Sequence, residues 1–356
     1  MSILARYLAR EILGAILVAL AALLVLFAFI DFINEVAAIG PNYTLSLALT
    51  YIALMLPTHV LEVLPAATIA GALFAFARLS ASSEFTVMRA SGLSVGRLAG
   101  YMIAIGLFIA GLAHVLGEYV IPHTERTAHQ LKTRATTGVV AQQFATGLWA
   151  KDGTSFINIQ EMLPDASLRN MRVYVFDEHF RLTAIRHAEQ AEWEADGSWR
   201  LAKVVETRIS PQGTRTEHLA TMKWRSDLNP DLLAVLMIPP ERMSIRALRS
   251  YVEHLRENRQ KTTRYEIALW SKLSFTLVSP VMLLLALPFA YAPPRASHVS
   301  GRVLLGLLLG LAFHLLNRLA GHLGLLYDWP AAASALSALV VFSLGAAFAL
   351  WQVERR

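Results

Sequence analysis

The chain has 356 residues, of which 55% are hydrophobic and 16% charged, with no cysteine and a formal net charge of +6. So apolar a composition excludes an ordinary soluble domain and points to a membrane protein. The lack of cysteine excludes disulfides, thiolate chemistry and any zinc site not built from His and carboxylates alone. The arginines flank apolar segments, a pattern of membrane orientation and not of nucleic-acid binding.

Six segments can each cross a hydrocarbon core of roughly 30 Å with about 20 residues. They lie near 12–33, 47–77, 98–120, 267–291, 303–325 and 331–351. Arg6 and Arg10 precede the first run, and no small-residue cleavage site stands before Asp31, so this run is expected to be a retained span and not a cleaved signal. Asp31, Asn34 and Glu35 mark its far end, either as a polar helix terminus or as the lining of an exit path. Pro57 and Pro65 predict a kink or tilt in the second span, and the fourth contains Pro280 and Pro288.

Between the second and third spans lies a short polar stretch, 82–92. Phe85 and Met88 share one side at helical spacing. Ser82 or Ser83 is placed to cap a helix, Glu84 suits its positive end, and Gly92 can terminate it. The expectation is a two- to three-turn helix exposed at the membrane surface. It reads either as a handle for a soluble partner or as a plain surface turn.

One set of ends and short loops carries Arg6, Arg10, Arg78, Arg89, Arg97, Arg295, Arg302, Arg355 and Arg356, whereas loops 34–46 and 322–330 carry no Lys or Arg. Both termini and the Glu84 stretch are therefore expected on the cytoplasmic side. Residues 123–262 are then extracytoplasmic. Runs near 155–160, 171–176, 182–187, 191–194, 199–209 and 218–224 are β-rich, with turn signals at Asp152-Gly153, Pro164-Asp165, Asp196-Gly197 and Pro211-Gln212-Gly213. They predict an antiparallel sandwich or open barrel. An amphipathic helix follows at 244–256, its apolar stripe made by Ile245, Leu248, Val252 and Leu255. The fold class is thus six membrane helices with an inserted antiparallel β domain: 1–122 holds spans one to three, 123–262 the β domain and 263–356 spans four to six.

No G-x-x-x-x-G-K-[ST], H-E-x-x-H or G-x-S-x-G run occurs. The chain is therefore expected to bind no nucleotide, metal or other cofactor itself. Ionisable residues inside spans are costly and become the functional candidates. His59 and Glu62 share a helix face in span two, and His114 and Glu118 do so in span three; each pair reads as a metal half-site or as a mutually satisfied polar pair. In span five, His314, Arg318 and His322 recur at intervals of four on one face, fitting either a cavity that receives an anionic amphiphile or side chains that snorkel to headgroups. Gly306 and Gly310 give the same span a step for close helix packing.

This order of parts resembles the LptF/LptG permeases of the lipopolysaccharide exporter. The local matches are residues 83–92 (SEFTVMRASG), 117–122 (GEYVIP), 147–153 (GLWAKDG) and 264–272 (RYEIALWSK), and the likeness runs essentially end to end. The GLWAKDG run looks like the G-type subunit. The resemblance implies an inner-membrane permease paired with an F-type permease and driven by two copies of a cytoplasmic ATPase, LptB, which would supply the ATP and Mg site. It implies a single-span regulator, LptC, a periplasmic carrier, LptA, and lipopolysaccharide as the cargo among membrane lipids, with no nucleic acid. It makes 82–92 the coupling helix, with Glu84, Phe85, Met88 and Arg89 as ATPase-coupling residues. Spans one and five become a lateral gate, and the inserted β domain is β-jellyroll-like by family resemblance.

Where family members can carry phosphate-binding lysines after span one, this sequence has Asp31, Glu35, Ala37 and Ala38. Basic contacts are therefore expected from His129 and Lys132, reinforced by Arg126 and Arg134, and from the span-five stripe. Three other readings stay open: an F-type paralogue or an exporter of another anionic lipid, a membrane sensor with an outer ligand-binding domain, and a metal-dependent hydrolase using His59, Glu62, His114 and Glu118.

Overall fold

The computed structural model describes residues 3–136, 147–163, 167–194, 196–226, 228–230, 233, 240–291 and 299–355. The Pro164-Asp165 turn signal and Arg295 lie outside the described residues.

Five described helices are long and apolar enough to span a membrane, and a bent pair supplies a sixth. They are α1 (Ile3–Val36), α2 (Leu45–Ala81), α4 (Val95–Val115), the pair α7 (Thr263–Phe275) and α8 (Val278–Ala286), α9 (Val299–Leu326) and α10 (Ala331–Glu354). The chain is a multi-pass membrane protein with an inserted β unit. Short α3 (Glu84–Ala90) joins α2 to α4. A π turn, Leu116–Val120, carries α4 into α5 (Ile121–Thr136), so span three continues as helix beyond its apolar part.

The prolines act differently in the two spans that hold them. Helix α2 continues through Pro57 and Pro65. Span four breaks instead: its two helices meet at 48°, and the second ends in a 3₁₀ turn, Leu287–Tyr291. Pro280 lies in the first turn of α8, where its missing N–H costs no helical hydrogen bond.

Helix α2 is the hub, burying 72% of its most apolar window, whereas α1 buries 11%. Small residues set the distances. A Cβ on Gly71 would lie 2.5 Å from the Ile16 Cα of α1, and one on Gly306 would lie 2.7 Å from the Ala70 Cα of α2. Gly106 gives α4 the same close approach to Pro280 of α8. Between these contacts Leu8, Ile12, Leu73, Phe76, Met102 and Met282 form a fully buried core.

The β unit is one six-stranded antiparallel sheet whose strands pair in sequence order. They are β1 (Leu148–Asp152), β2 (Ser155–Met162), β3 (Leu168–Phe176), β4 (Leu182–Trp193), β5 (Trp199–Ser210) and β6 (Gly213–Trp224). The described strands make a meander and not the two packed sheets of a sandwich. The expected strands at 182–187 and 191–194 are one strand, β4, because pairing with β5 runs on from Ala184↔Arg208 to Trp193↔Trp199. Ile157, Ile159, Met171, Val173, Leu201 and Val204 face a core around Trp199, whose indole N–H donates to the Leu228 carbonyl at 2.7 Å.

Helix α6 (Ile245–Glu257) buries Leu248, Tyr251, Val252 and Leu255 and packs on Tyr265, Ala268 and Leu269 of α7. Its first turn is capped by the Ser244 hydroxyl, which accepts from Ala247 N–H at 3.1 Å. The Glu118 carboxylate accepts from Ile245 N–H at 2.8 Å and places negative charge at the positive end of the helix. Glu118 therefore serves as a helix cap.

Candidate functional site

Helix α3 forms where it was expected, but Ser83 does not cap it. Ser83 takes a left-handed conformation with no capping bond, and the Ser82 hydroxyl turns back to the Arg78 and Leu79 carbonyls and to Glu84. The far end stops as the sequence implies. Gly92, at φ +92°, lets its N–H reach the Arg89 carbonyl and the Leu93 N–H reach that of Met88.

The structure corrects the expected exposure of two residues on this helix. Phe85 and Met88 are buried in the chain's own core. The Phe85 ring packs edge-on against Tyr291 at 5.1 Å and against Phe76 at 6.4 Å. The Arg89 guanidinium lies 4.9 Å over the Tyr291 ring. The outward face is Thr86, Val87 and Ala90. Glu84 sits between the two faces. The Tyr7 hydroxyl of α1 donates to its Oε2 at 2.5 Å, and Ser82 donates to its Oε1 at 3.0 Å. These hydroxyls, that of Tyr7 first, hold the Glu84 carboxyl below the usual carboxylate range. Beside them Arg78 of α2 pairs with Glu11 of α1.

At the other end of α1 a second polar network faces α2 and α5. Asp31 Oδ2 lies 2.6 Å from His59 Nε2, and His59 Nδ1 lies 3.3 Å from Glu62. Glu35 is buried and accepts from Lys132 Nζ at 2.6 Å and from the Tyr43 hydroxyl at 2.9 Å. Lys132 also lies 4.9 Å over the Tyr51 ring, which His129 approaches edge-on at 6.2 Å. The Thr58 hydroxyl donates to the buried Glu125 at 2.8 Å. Asp31 and Glu35 therefore strap α1 to α2 and α5 of its own chain. Arg126 and His129 are exposed on α5, and the Arg134 side chain lies outside those described. Among the described residues, no group of three or more His, Asp or Glu side chains is arranged to hold a metal ion.

On α9, His314, Arg318 and His322 are exposed beside Leu308, Leu311, Leu315 and Leu319. His322 Nδ1 lies 2.8 Å from the Arg318 carbonyl. Gly306 and Gly310, on the turns before His314, pack against Ala70 and Ala66. The glycine step serves packing on the chain's own α2, and the cationic stripe borders an outward leucine face.

Several of these partners were beyond sequence reasoning. Tyr7 and Glu84 are 77 residues apart, and Glu35 and Lys132 are 97 apart. No local spacing announces either pair. The only hint was negative: two carboxylates at the end of an apolar helix require partners.

The arrangement is a short surface helix, a buried hub helix and two exposed flanking helices. The family model of the lipopolysaccharide export system permease LptF/LptG matches residues 6–352. The chain belongs to the LptF/LptG family. Its relatives include the lipopolysaccharide export system permease protein LptG of Haemophilus influenzae, 30% identical over 339 residues that cover 95% of each chain. The protein of the same name from Escherichia coli K12 is 31% identical over 357 residues, covering 99% of this chain and 98% of its own.

Proposed function

We propose that this chain is the G-type permease subunit of an ATP-driven transporter that extracts lipopolysaccharide from the inner membrane and passes it towards the outer membrane. The observation that carries this reading is the handle. Helix α3 is anchored inward by Phe85 and Met88 and presents Thr86 and Val87 outward, as a lever for a soluble motor requires. A separate dimeric ATPase, LptB, binds there and supplies the nucleotide and Mg site; the chain's own work is mechanical. The arginine-rich ends, with both termini and α3, face the cytoplasm, and the β unit faces the periplasm.

An F-type permease completes the cavity, with the sparsely buried α1 and the exposed face of α9 as gate surfaces. The headgroup phosphates meet Arg318, His314 and His322, with Arg126 and His129 beyond them. Lys132 contributes by holding α1, since its ammonium is engaged by Glu35. The β unit receives the lipid, and LptC and LptA continue its route. ATP drives extraction because lipid affinity differs between the motor-open and motor-closed states.

The test is reconstitution with the partner permease and ATPase in lipopolysaccharide-containing vesicles. ATP-dependent lipid release that falls on Arg318→Ala supports the assignment. Release that needs neither ATP nor this chain contradicts it.

A further inference from the structure

We infer that Tyr7 is a positioning residue that ties the handle α3 to span one through Glu84, so that one push on α3 is divided between α1 and the end of span four. The inference deepens the proposed function and rests on it for the direction of the work, but its geometry stands separately. Helix α1 is one rod of 34 residues, about 50 Å long, that few of its own chain's residues cover in the middle. It is strapped at both ends. At the α3 end Tyr7 donates to Glu84, and Glu11 pairs with Arg78. At the β end Asp31 meets His59, and Glu35 meets Lys132. Between the straps Leu17, Val18, Val25 and Leu26 are exposed. Leu8, Ile12 and Ile16 keep the rod against α2, and the straps tie it at each end, so a displacement of one end is carried along it to the other.

The second branch runs through Tyr291. Phe85 and Arg89 grip its ring, and its buried hydroxyl has no hydrogen-bond partner among the described residues. The Ser80 hydroxyl donates to the neighbouring Ala290 carbonyl at 3.4 Å, fixing that end of span four to the hub. Glu84 thus accepts from two hydroxyls of its own chain while staying half-exposed, and Val87 beside it is exposed on the outward face.

The chain has no cysteine, so paired labels can be introduced cleanly. Spin labels at Val87→Cys and Leu17→Cys report the distance from α3 to α1 in the full chain in lipid nanodiscs, with no motor present. The expected result is one narrow distance in the otherwise unchanged chain, a broadened distribution on adding Tyr7→Phe or Glu84→Ala, and a narrow one with Glu84→Gln, which keeps an acceptor oxygen. An unchanged distribution in Tyr7→Phe, or broadening there without broadening in Glu84→Ala, overturns the tether.

In the assembled transporter, Tyr7→Phe is expected to retain ATP hydrolysis while lipid released per ATP falls about threefold, the order of one hydrogen bond. An unchanged ratio overturns the delivery of work through Tyr7. If the parent complex itself moves no lipid, the proposed function fails, while the label distances still decide the tether.

Discussion

Lys132 Nζ lies 2.6 Å from Glu35 Oε1, so a cation that sequence reasoning assigns to the substrate is answered by span one of the same chain. The carboxylate is almost wholly buried and the ammonium only partly exposed. Removing one partner leaves a buried charge, which costs more than the pair gains by forming. Lys132→Ala is expected to lower stability by about 2 kcal/mol, and Glu35→Gln in the same chain is expected to restore most of it. Thermal unfolding of the two single variants and the double in detergent checks this; strictly additive losses would count against the pair.

In the β unit, Glu206 is buried and is held by Arg186 at 2.8 Å from the neighbouring strand and by Arg208 at 2.9 Å. Burial pushes its pKa up, but the two guanidiniums outweigh burial and leave the carboxyl below its usual range. Because the folded state has the lower value, the stabilisation is fully present above the unfolded carboxyl's pKa of about 4.3. It is lost as pH falls through the folded value. Glu206→Gln is expected to cost about 2 kcal/mol at neutral pH, and the difference from the parent should close in acid. Urea titrations followed by tryptophan fluorescence at pH 7 and pH 3 measure both.

The glycine contacts predict which helix each substitution disturbs. Gly71→Leu drives a side chain into the Ile16 backbone and should loosen α1, while Gly306→Leu does the same to α9 at Ala70. Each is expected to cost at least about 2 kcal/mol through overpacking. Gly301→Ala meets nothing within 4 Å and should be near neutral. Melting temperatures of the three variants decide it, and equal losses in all three would contradict the packing.

The two faces of α3 separate anchoring from docking. Phe85→Ala opens a cavity between Phe76 and Tyr291 and should cost about 3 kcal/mol of stability. Val87→Asp changes an exposed side chain, so it should leave stability alone and reduce recovery of the ATPase with the chain. Pull-down yield beside the melting temperature distinguishes them. Val87→Asp with full ATPase recovery would move the docking face elsewhere.

The residues that sequence read well are those whose signal is local. Apolar length marked the spans, Gly92 ended the helix its position implied, and Asp152-Gly153 turned β1 into β2 as a tight hairpin. Resemblance added the family because its motifs are local runs as well. What escaped was set by distant partners. Phe85 and Met88 have the spacing of an outward recognition stripe, yet the same stripe suits a core once Tyr291 arrives from span four. Glu118 reads as half of a His–carboxylate pair, and only the return of the chain at Ile245 makes it a helix cap. Span four breaks between Phe275 and Val278, ahead of Pro280, while α2 continues as one helix through Pro57 and Pro65. A proline's position does not fix where a packed helix yields.

The most direct test of the account is gentle purification of the tagged chain from its native membrane, with mass spectrometry of everything that accompanies it. A second six-span permease, a soluble P-loop ATPase and bound lipopolysaccharide are expected to come with it. Recovery of the chain alone, or with a signalling partner and no ATPase under conditions that preserve other transporters, would contradict the account.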